Sequence, residues 1–371
     1  MRKILARGLA TGLATGLAIL FGSAALAQSP PTRISVVAGG LNHPWGLAFL
    51  PDGGVLVTER PGRMKLLRGG KAIAVTGVPT VLSAGQGGLF DVVLHPKFAE
   101  NSFVYLSYAG GSIDANGTRV ARARLVGNQL RDVTVIWSAT PTKRGGVHFG
   151  GRMAFLPDGT LVLTTGDGFD YRERAQKLDS PLGKVMRITD TGGIPADNPF
   201  ANQPGAIGSI WSYGHRNPQG LAYDPVRQRL FQHEHGPRGG DEVNVITRGG
   251  NFGWPVATHG MDYSGATISP FKSYKGMLDG LVVWVPSIAP SGLAVYRGAM
   301  FPEWEGDLLV GALVDQEVRR VDLDAAGKVL GQQSLFKKLN ARIRDVRVAP
   351  DGAIWLTTDS DAGQVLRVTR G

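Results

Sequence analysis

Polar side chains that could do chemistry are concentrated in four glycine-rich segments, each at the end of an apolar run. These segments are residues 85–88, 145–152, 214–220 and 234–242. Clustered glycines permit unusual backbone angles and let a ligand approach the main chain closely. Strand-like runs rather than a helix follow them, so the segments are not a dinucleotide fingerprint. They predict a ligand site built on loops.

His148 is the candidate catalytic base, because it stands between two glycine pairs rather than on an apolar stripe. Histidine is the side chain that most readily serves as a general base near neutral pH. Its sequence setting equally suits a structural histidine bonded to a backbone carbonyl. Asp167, which ends a strand-like run, is either a simple turn residue or the carboxylate that orients the His148 imidazole.

Two kinds of metal site are compatible with the residues around position 235. His233 and His235 alternate on an extended segment, so both would lie on one side and could bind zinc with His148. The H-x-H spacing fixes no geometry, however. Asp241 and Glu242 follow in a glycine-rich turn, which better suits a hard cation held by oxygens.

Calcium is such a cation, because it accepts carboxylates and backbone carbonyls together. The carbonyls of Gly236 and Pro237 lie in a constrained loop and are candidate ligands beside Asp241 and Glu242. The alternative is that the two carboxylates only cap a turn.

Three arginines lie beside predicted strand starts. Arg342 and Arg344 lie on one face of an extended segment, and Arg216 lies in the third glycine-rich segment. An Arg-x-Arg pair can grip a polycarboxylate through bidentate hydrogen bonds. An ordinary solvated strand edge would have the same pattern.

The elements that carry these residues are predicted to be short strands. A strand–turn–strand pattern begins near residues 46, 90, 152, 220, 292 and 346, with Asp-Gly turns at 52–53, 158–159 and 351–352 and an Asn-Gly turn at 116–117. Repeats of this size made only of strands indicate an all-β protein, a six-bladed β-propeller of four-stranded antiparallel blades. The alternative is a β-sandwich.

The N-terminus predicts export. Residues 1–27 combine a basic start, a short apolar stretch and the ending Ala25-Leu26-Ala27, which is typical of a cleavable signal peptide rather than a membrane anchor. Residues 28–371 then form a single domain, in a bacterial periplasm or secreted, with no further membrane span. The chain has no cysteine, which excludes disulfides, thiolate metal sites and cysteine nucleophiles.

The net charge of the chain is +10, and three of these charges lie in the signal peptide. The remaining basic residues are dispersed, which argues against nucleic-acid binding. The excess favours an anionic cofactor.

Taken together, the segments resemble the soluble aldose sugar dehydrogenases that depend on pyrroloquinoline quinone (PQQ), a branch of the glucose/sorbosone dehydrogenase family. The resemblance runs from about Leu41 to the C-terminus. Seven segments look like family motifs in family order: residues 44–48, 85–89, 148–152, 213–220, 234–237, 286–291 and 342–345.

The resemblance implies roles for individual residues. His148 would remove the proton from the anomeric hydroxyl of an aldose, Asp167 would orient it, and Gln86 would contact quinone and sugar. The residues implied to hold PQQ are Arg216, Asn217, His235, Ser287, Arg342 and Arg344. The carbonyls of Gly236 and Pro237 would bind the calcium that polarises the quinone, with Asp241 supporting their loop, and Glu242 and the carbonyl of Phe252 would bind a second, structural calcium. The product would be a lactone, and the electron acceptor is unknown.

One position departs from the family pattern. Relatives with a lysine after the Gly311-Ala312-Leu313 segment use it to neutralise a PQQ carboxylate, whereas this chain has Val314. This substitution keeps a non-catalytic binding propeller open as an alternative. A calcium-dependent lactonase is the other alternative, although such a site would need several carboxylates and asparagines around one ion.

Overall fold

Twenty-four strands, β1–β24, build the protein, and they form six four-stranded antiparallel sheets arranged as the blades of a β-propeller. The computed structural model describes residues 30–371. The predicted signal peptide, residues 1–27, lies outside the described residues. The six-bladed propeller predicted from the repeated turns is confirmed.

Blades 1 to 3 are each made of four consecutive strands, with the innermost strand first. Blade 1 contains β2 (Pro44–Phe49), β3 (Val55–Glu59), β4 (Arg63–Arg68) and β5 (Lys71–Ala74). Blade 2 contains β6 (Leu89–Leu94), β7 (Phe103–Ser112), β8 (Ala115–Val126) and β9 (Gln129–Ser138). Blade 3 contains β10 (Met153–Phe155), β11 (Leu161–Thr165), β12 (Lys184–Ile188) and β13 (Ile210–Tyr213).

Blades 4 and 5 follow the same rule, and blade 6 closes the ring. Blade 4 contains β14 (Pro218–Asp224), β15 (Arg229–Glu234), β16 (Asp241–Ile246) and β17 (Val282–Trp284). Blade 5 contains β18 (Pro290–Val295), β19 (Leu308–Ala312), β20 (Glu317–Leu323) and β21 (Val329–Leu335). Blade 6 contains β22 (Ile343–Val348), β23 (Ile354–Thr358), β24 (Gly363–Arg370) and, as its outer strand, β1 (Thr32–Leu41). The pairing of β1 with β24 joins the two ends of the domain.

Three Asp-Gly turns link the first and second strands of their blades, as predicted. Gly53, Gly159 and Gly352 have φ values of 83°, 80° and 82°, a region that glycine enters without steric cost. The turn aspartates also pair with an arginine on the third strand of the same blade, as Asp52 does with Arg68 at 2.5 Å. The repeat therefore carries an ion pair as well as a turn.

The predicted turn at Asn116-Gly117 is wrong. The chain reverses at residues 113–114, and Asn116 lies inside β8, where it is fully buried. An Asn-Gly pair permits a tight turn. Here the Asn116 amide group donates to the Ser112 carbonyl and accepts a hydrogen bond from Lys143, and these contacts hold Asn116 in the strand.

Apolar side chains fill the spaces between neighbouring blades. Leu56 and Leu66 of blade 1, for example, pack in one cluster with Leu89 and Val104 of blade 2. This burial of both faces of each sheet is the main stabilising contribution. None of the helices described between Pro30 and Gly371 has the length and apolar character that crossing a membrane requires.

An ion cluster occupies the centre of the propeller. Arg152 lies 3.0 Å from Asp345, and Arg347 lies 2.7 Å from Asp91 and 2.9 Å from Asp345. These residues come from, or directly precede, the inner strands of three blades. The cluster closes the central channel between a polar cavity on one side and an apolar cavity of about 520 Å³ on the other.

Candidate active site

A cavity of about 550 Å³ opens where the inner strands begin, and it collects half of the site residues predicted from the sequence. The predicted residues that line it are Gln86, His148, Arg216, Asn217, His235, Arg342 and Arg344. Val314 lines it too, with 59 % of its surface exposed. The glycine-rich segments are therefore brought together, as expected of loops at one end of a propeller.

His148 and Asp167 form a buried pair at one wall of this cavity. The imidazole Nδ1 lies 2.7 Å from Asp167 Oδ1, and His148 is only 5 % exposed. Asp167 also accepts hydrogen bonds from the backbone N–H of Phe169 at 2.8 Å and from Trp254 Nε1 at 2.7 Å. An ionised carboxylate only accepts hydrogen bonds, so Nδ1 of His148 carries the proton and Nε2 has the free lone pair.

The backbone of His148 adopts an unusual conformation that its neighbours hold in place. Its φ is 52°, a region that non-glycine residues seldom enter. The side-chain oxygen of Gln86 accepts the His148 backbone N–H at 2.9 Å. Gly166 allows the segment that follows β11 and bears Asp167 to lie close, because a Cβ there would be 2.3 Å from the His148 carbonyl oxygen. Sequence spacing alone predicts none of these contacts.

The pKa of His148 is lowered from its usual value. Burial is the main cause, since it disfavours the charged imidazolium, and the positive charges of Arg216 and Lys143 act in the same direction. The hydrogen bond and negative charge of Asp167 oppose the shift. His148 is therefore an unprotonated base at neutral pH.

Two other histidines line the cavity, and neither has the same arrangement. Both ring nitrogens of His43 face carboxylates, Nδ1 at 2.7 Å from Asp359 and Nε2 at 3.0 Å from Asp361. Burial, together with nearby positive groups, lowers the pKa of His235 far below its usual value. His148 is thus the cavity histidine with Nδ1 oriented by a carboxylate and Nε2 facing none.

Positive charge dominates the opposite wall. Arg344 donates to Gln219 at 2.9 Å and to Asp359 at 2.8 Å, and Arg342 lies 3.5 Å from the same carboxylate. Arg344 and His43 hold the pKa of Asp359 far below its usual range, against the effect of burial. One carboxylate therefore faces two guanidinium groups, which leaves the wall electropositive.

Two buried nitrogen atoms at this cavity lack an internal partner. Within residues 30–371, Nε2 of His235 and Nε of Arg344 make no hydrogen bond. Buried polar groups are normally hydrogen-bonded, and an unpaired one costs about 1–3 kcal/mol. Their position at the cavity suits a polar ligand.

Asp241 organises the loop that was predicted to bind calcium. Its carboxylate accepts the backbone N–H of Gly236 at 2.9 Å, of Ile288 at 2.8 Å and of Ala289 at 2.9 Å. It also accepts the hydroxyl of Ser287 at 2.5 Å. Ser287 therefore contacts Asp241 and is not among the residues that line the cavity.

Arg216 occupies the carbonyl groups of the same loop. Its guanidinium donates to the carbonyl oxygen of Gly236 at 2.6 Å and to that of His235 at 3.1 Å. Pro237 lines a neighbouring cavity of about 250 Å³. In the described chain no cluster of three or more His, Cys, Asp or Glu residues is placed to hold a metal ion, and the zinc arrangement considered for His148, His233 and His235 is not formed.

Glu234 and Glu242 face a small space behind this loop, together with Phe252. Burial, together with the nearby Glu234 carboxylate, raises the pKa of Glu242 to about 8. Two carboxylates held close together in a buried place are mutually repulsive unless a proton or a cation lies between them. The second cation site at Glu242 and Phe252 stays a prediction.

The family is identified by comparison with known proteins. The model of the family described as Glucose / Sorbosone dehydrogenase matches residues 41–367. The chain belongs to the glucose/sorbosone dehydrogenase family.

Several relatives of this family member are named sugar dehydrogenases. It is 42 % identical over 356 residues to the Aldose sugar dehydrogenase YliI of Escherichia coli strain K12, covering 94 % of this chain and 95 % of the relative. The apo-form crystal structure of the soluble aldose sugar dehydrogenase from Escherichia coli matches with a TM-score of 0.88 and 40 % identity, covering 92 % and 100 % of the two chains. The PQQ-bound aldose sugar dehydrogenase from Streptomyces coelicolor matches with a TM-score of 0.73 and 32 % identity, covering 92 % and 100 %.

Sequence reasoning missed several residues at the site of this family member, among them His43, Asp359, Trp254 and Lys143. Trp254 reaches Asp167 from the 35-residue connection between β16 and β17, residues 247–281, which runs back towards the cavity. Lys143 lies beneath the His148 loop. The signal that could have found Trp254 was the length of that connection, because long connections in compact domains are usually functional.

Proposed function

We propose that the chain oxidises aldose sugars at C1 to lactones, with PQQ as the hydride acceptor, calcium as an accompanying cation and His148 as the base. One observation carries the proposal: a histidine with an oriented ring and a free Nε2 faces a cavity whose opposite wall is cationic. A base on one side and bound positive charge on the other suit proton removal from a sugar beside a polyanionic cofactor.

His148 receives the proton in this mechanism. Because Asp167 accepts the Nδ1 proton, Nε2 is free to take the anomeric hydroxyl proton. The imidazolium that results is stabilised by the Asp167 carboxylate. Gln86 fixes the backbone from which His148 extends. When bound, PQQ supplies an electrophilic quinone that accepts the hydride.

PQQ fits the donors of the cavity. Its three carboxylates need cationic or N–H partners, and Arg216, Arg342 and Arg344 line the cavity. The unpaired Nε2 of His235 and Nε of Arg344 would gain hydrogen-bond partners. Asn217 also lines the cavity, with its side-chain oxygen 3.2 Å from the Gly150 backbone N–H. Ser287, which contacts Asp241, would act through that loop rather than on PQQ directly.

Calcium fits the loop under one condition. The Gly236 carbonyl oxygen is an oxygen ligand of the kind that calcium prefers, but it accepts a hydrogen bond from Arg216. A cation bound by Gly236 and Pro237 therefore requires Arg216 to release that carbonyl. The second ion would lie near Glu242 and Phe252, where it would keep Glu242 ionised.

Reconstitution tests the proposal. Purified protein loaded with PQQ and calcium should reduce a dye when aldoses are added, and the oxidised sugar should be recovered as a lactone. His148→Ala should lower turnover by roughly a hundredfold or more, with PQQ binding nearly unchanged. His43→Ala is the matched histidine control, with a loss of less than about tenfold. Near-normal turnover of loaded His148→Ala would refute the assignment of the base.

A non-catalytic binding propeller is the second candidate, and Val314 is the observation that favours it. Its apolar side chain lies at the cavity where the resemblance implies a lysine. This candidate gives no reason for the buried His148–Asp167 pair. Failure of the protein to bind PQQ at micromolar concentration with calcium present would favour it.

The proposed place of action is the periplasm or the outside of the cell, after cleavage before Gln28.

A further inference from the structure

Lys143 is a buried ammonium group directly beneath the His148 loop. Its surface is only 4 % exposed. Its Nζ donates to the Asn116 side-chain oxygen at 3.0 Å and to the Gly145 carbonyl at 3.0 Å, and it lies 4.0 Å from the centre of the Phe149 ring. Burying an ammonium on neutral partners is costly, so this position needs a reason.

The contacts of Lys143 lie on both sides of His148 in sequence. Gly145 precedes His148 and Phe149 follows it, and one ammonium touches both. The backbone of Lys143 is also paired with that of Asn116 in both directions at 2.8 Å, which ties the loop to β8. The lysine therefore clamps the segment in which His148 adopts its left-handed conformation.

The same ammonium is close enough to act on the charge of the catalytic pair. Its stem runs beside Gly168, where a Cβ would lie 2.6 Å from Lys143 Cδ, next to Asp167. The ionisable groups with the largest influence on His148 are Asp167, Arg216 and Lys143, and His235 also interacts with it. Asp167 favours the imidazolium, and the two cations oppose it. Burial lowers the pKa of Lys143 to about 8 despite Asp167 and Asp170, so the ammonium is charged at neutral pH.

We propose that Lys143 is a positioning residue that clamps the His148 loop and, acting together with burial, disfavours protonation of the His148 imidazole while it is paired with Asp167. Without this cation the carboxylate would promote protonation of His148 more strongly, and a protonated imidazole cannot accept the sugar proton. The hold on the loop and the effect on His148 protonation both follow from the same contacts of Lys143. The catalytic consequence rests on the proposed function, whereas the effect on His148 does not.

The test is a nuclear magnetic resonance titration of the histidine rings in protein without PQQ, with the His148 signal assigned by its loss in His148→Ala. Lys143→Met removes the charge and keeps an apolar stem. Asn116→Asp keeps the size of Asn116 and adds a carboxylate against Nζ, although it also removes the NH2 group that donates to the Ser112 and Ile113 carbonyls. Each change should raise the pKa of His148 by roughly half a unit or more, since either removes net positive charge nearby. Lys97→Met, on an exposed lysine, should leave the pKa unchanged.

Because Lys143→Met and Asn116→Asp test the same inference, it can still be tested if one of them fails to fold. A His148 pKa that stays within about 0.2 units of the wild-type value in every folded variant would overturn it. Backbone signals of residues 145–149 should move further in Lys143→Met, which loses the ammonium contacts, than in Asn116→Asp, which keeps them; this difference separates the clamp from the charge. In loaded enzyme, the acidic limb of the pH profile of kcat/KM should move with the titrated pKa. If the pKa moves and the profile does not, Lys143 acts as inferred and the base role of His148 is wrong.

Discussion

Asp167→Asn changes one atom, and the structure gives a specific reason for a large effect. The carboxylate accepts three donors, His148 Nδ1 and the Phe169 N–H on Oδ1 and Trp254 Nε1 on Oδ2. A carboxylate can accept all three. An asparagine amide has one oxygen and one NH2 group, so at least one donor must face another donor.

Either orientation of the amide is harmful. With its oxygen towards His148, the NH2 group faces Trp254 Nε1 and leaves a buried donor unpaired, which costs about 1–3 kcal/mol. With its oxygen towards Trp254, the NH2 group faces His148, and the ring must move its proton to Nε2. That nitrogen then cannot act as a base, and neither orientation stabilises the imidazolium. We expect turnover to fall by roughly 10²–10⁴-fold.

The companion variant Trp254→Phe removes the donor that opposes the first orientation. In the double variant the amide oxygen can turn to His148, so turnover should recover by roughly tenfold or more relative to Asp167→Asn. Recovery should be incomplete, because an amide carries no negative charge. Turnover is measured by dye reduction in PQQ-loaded protein, and stability by urea unfolding. Turnover of Asp167→Asn within about tenfold of wild type, or no recovery in the double variant, would refute the reasoning.

Three further predictions concern the cofactor, the cation and pH. Val314→Lys should tighten PQQ binding about tenfold or more, measured by calorimetry, because a charge-assisted hydrogen bond contributes roughly 1.5–3 kcal/mol. Unchanged or weaker binding would mean that another cationic group already pairs with the PQQ carboxylate. Chelation should abolish activity and also lower the melting temperature, because ions bound only by the native state stabilise it; lost activity with unchanged melting would argue against the ion near Glu242. Burial lowers the pKa of His233 to about 3. Below about pH 6.5 the unfolded state therefore binds more protons than the folded state, and stability is lost as the pH falls. Between about pH 6.5 and pH 5 the free energy of unfolding should drop by about 2 kcal/mol from this residue, and His233→Leu should flatten the dependence in urea unfolding; an equal slope in both proteins would contradict it.

The blades could be predicted from the sequence because their rules are local. Gly53, Gly159 and Gly352 each follow an aspartate and adopt the positive φ that the turn requires. Alternating strands and repeated turns then leave few architectures that bury both faces of each sheet. The same local rule failed at Asn116, whose buried side chain is held by Ser112, Ile113 and Lys143. The ability of an Asn-Gly pair to form a tight turn is a local property, whereas one of the contacts that keep Asn116 in the strand comes from Lys143, in another segment.

The candidate site could be predicted only as a set of residue types. The sequence, with its resemblance to a known family, named His148, Asp167 and the arginines, but only tertiary structure decided their partners. Asp167 meets Trp254, which is 87 positions away, and Arg344 meets Gln219, which is 125 positions away. Arg216, expected to hold a cofactor, also holds the Gly236 carbonyl. The physical reason is that hydrogen bonds and charge effects depend on distances of a few ångströms, and the packing of separate blades sets those distances.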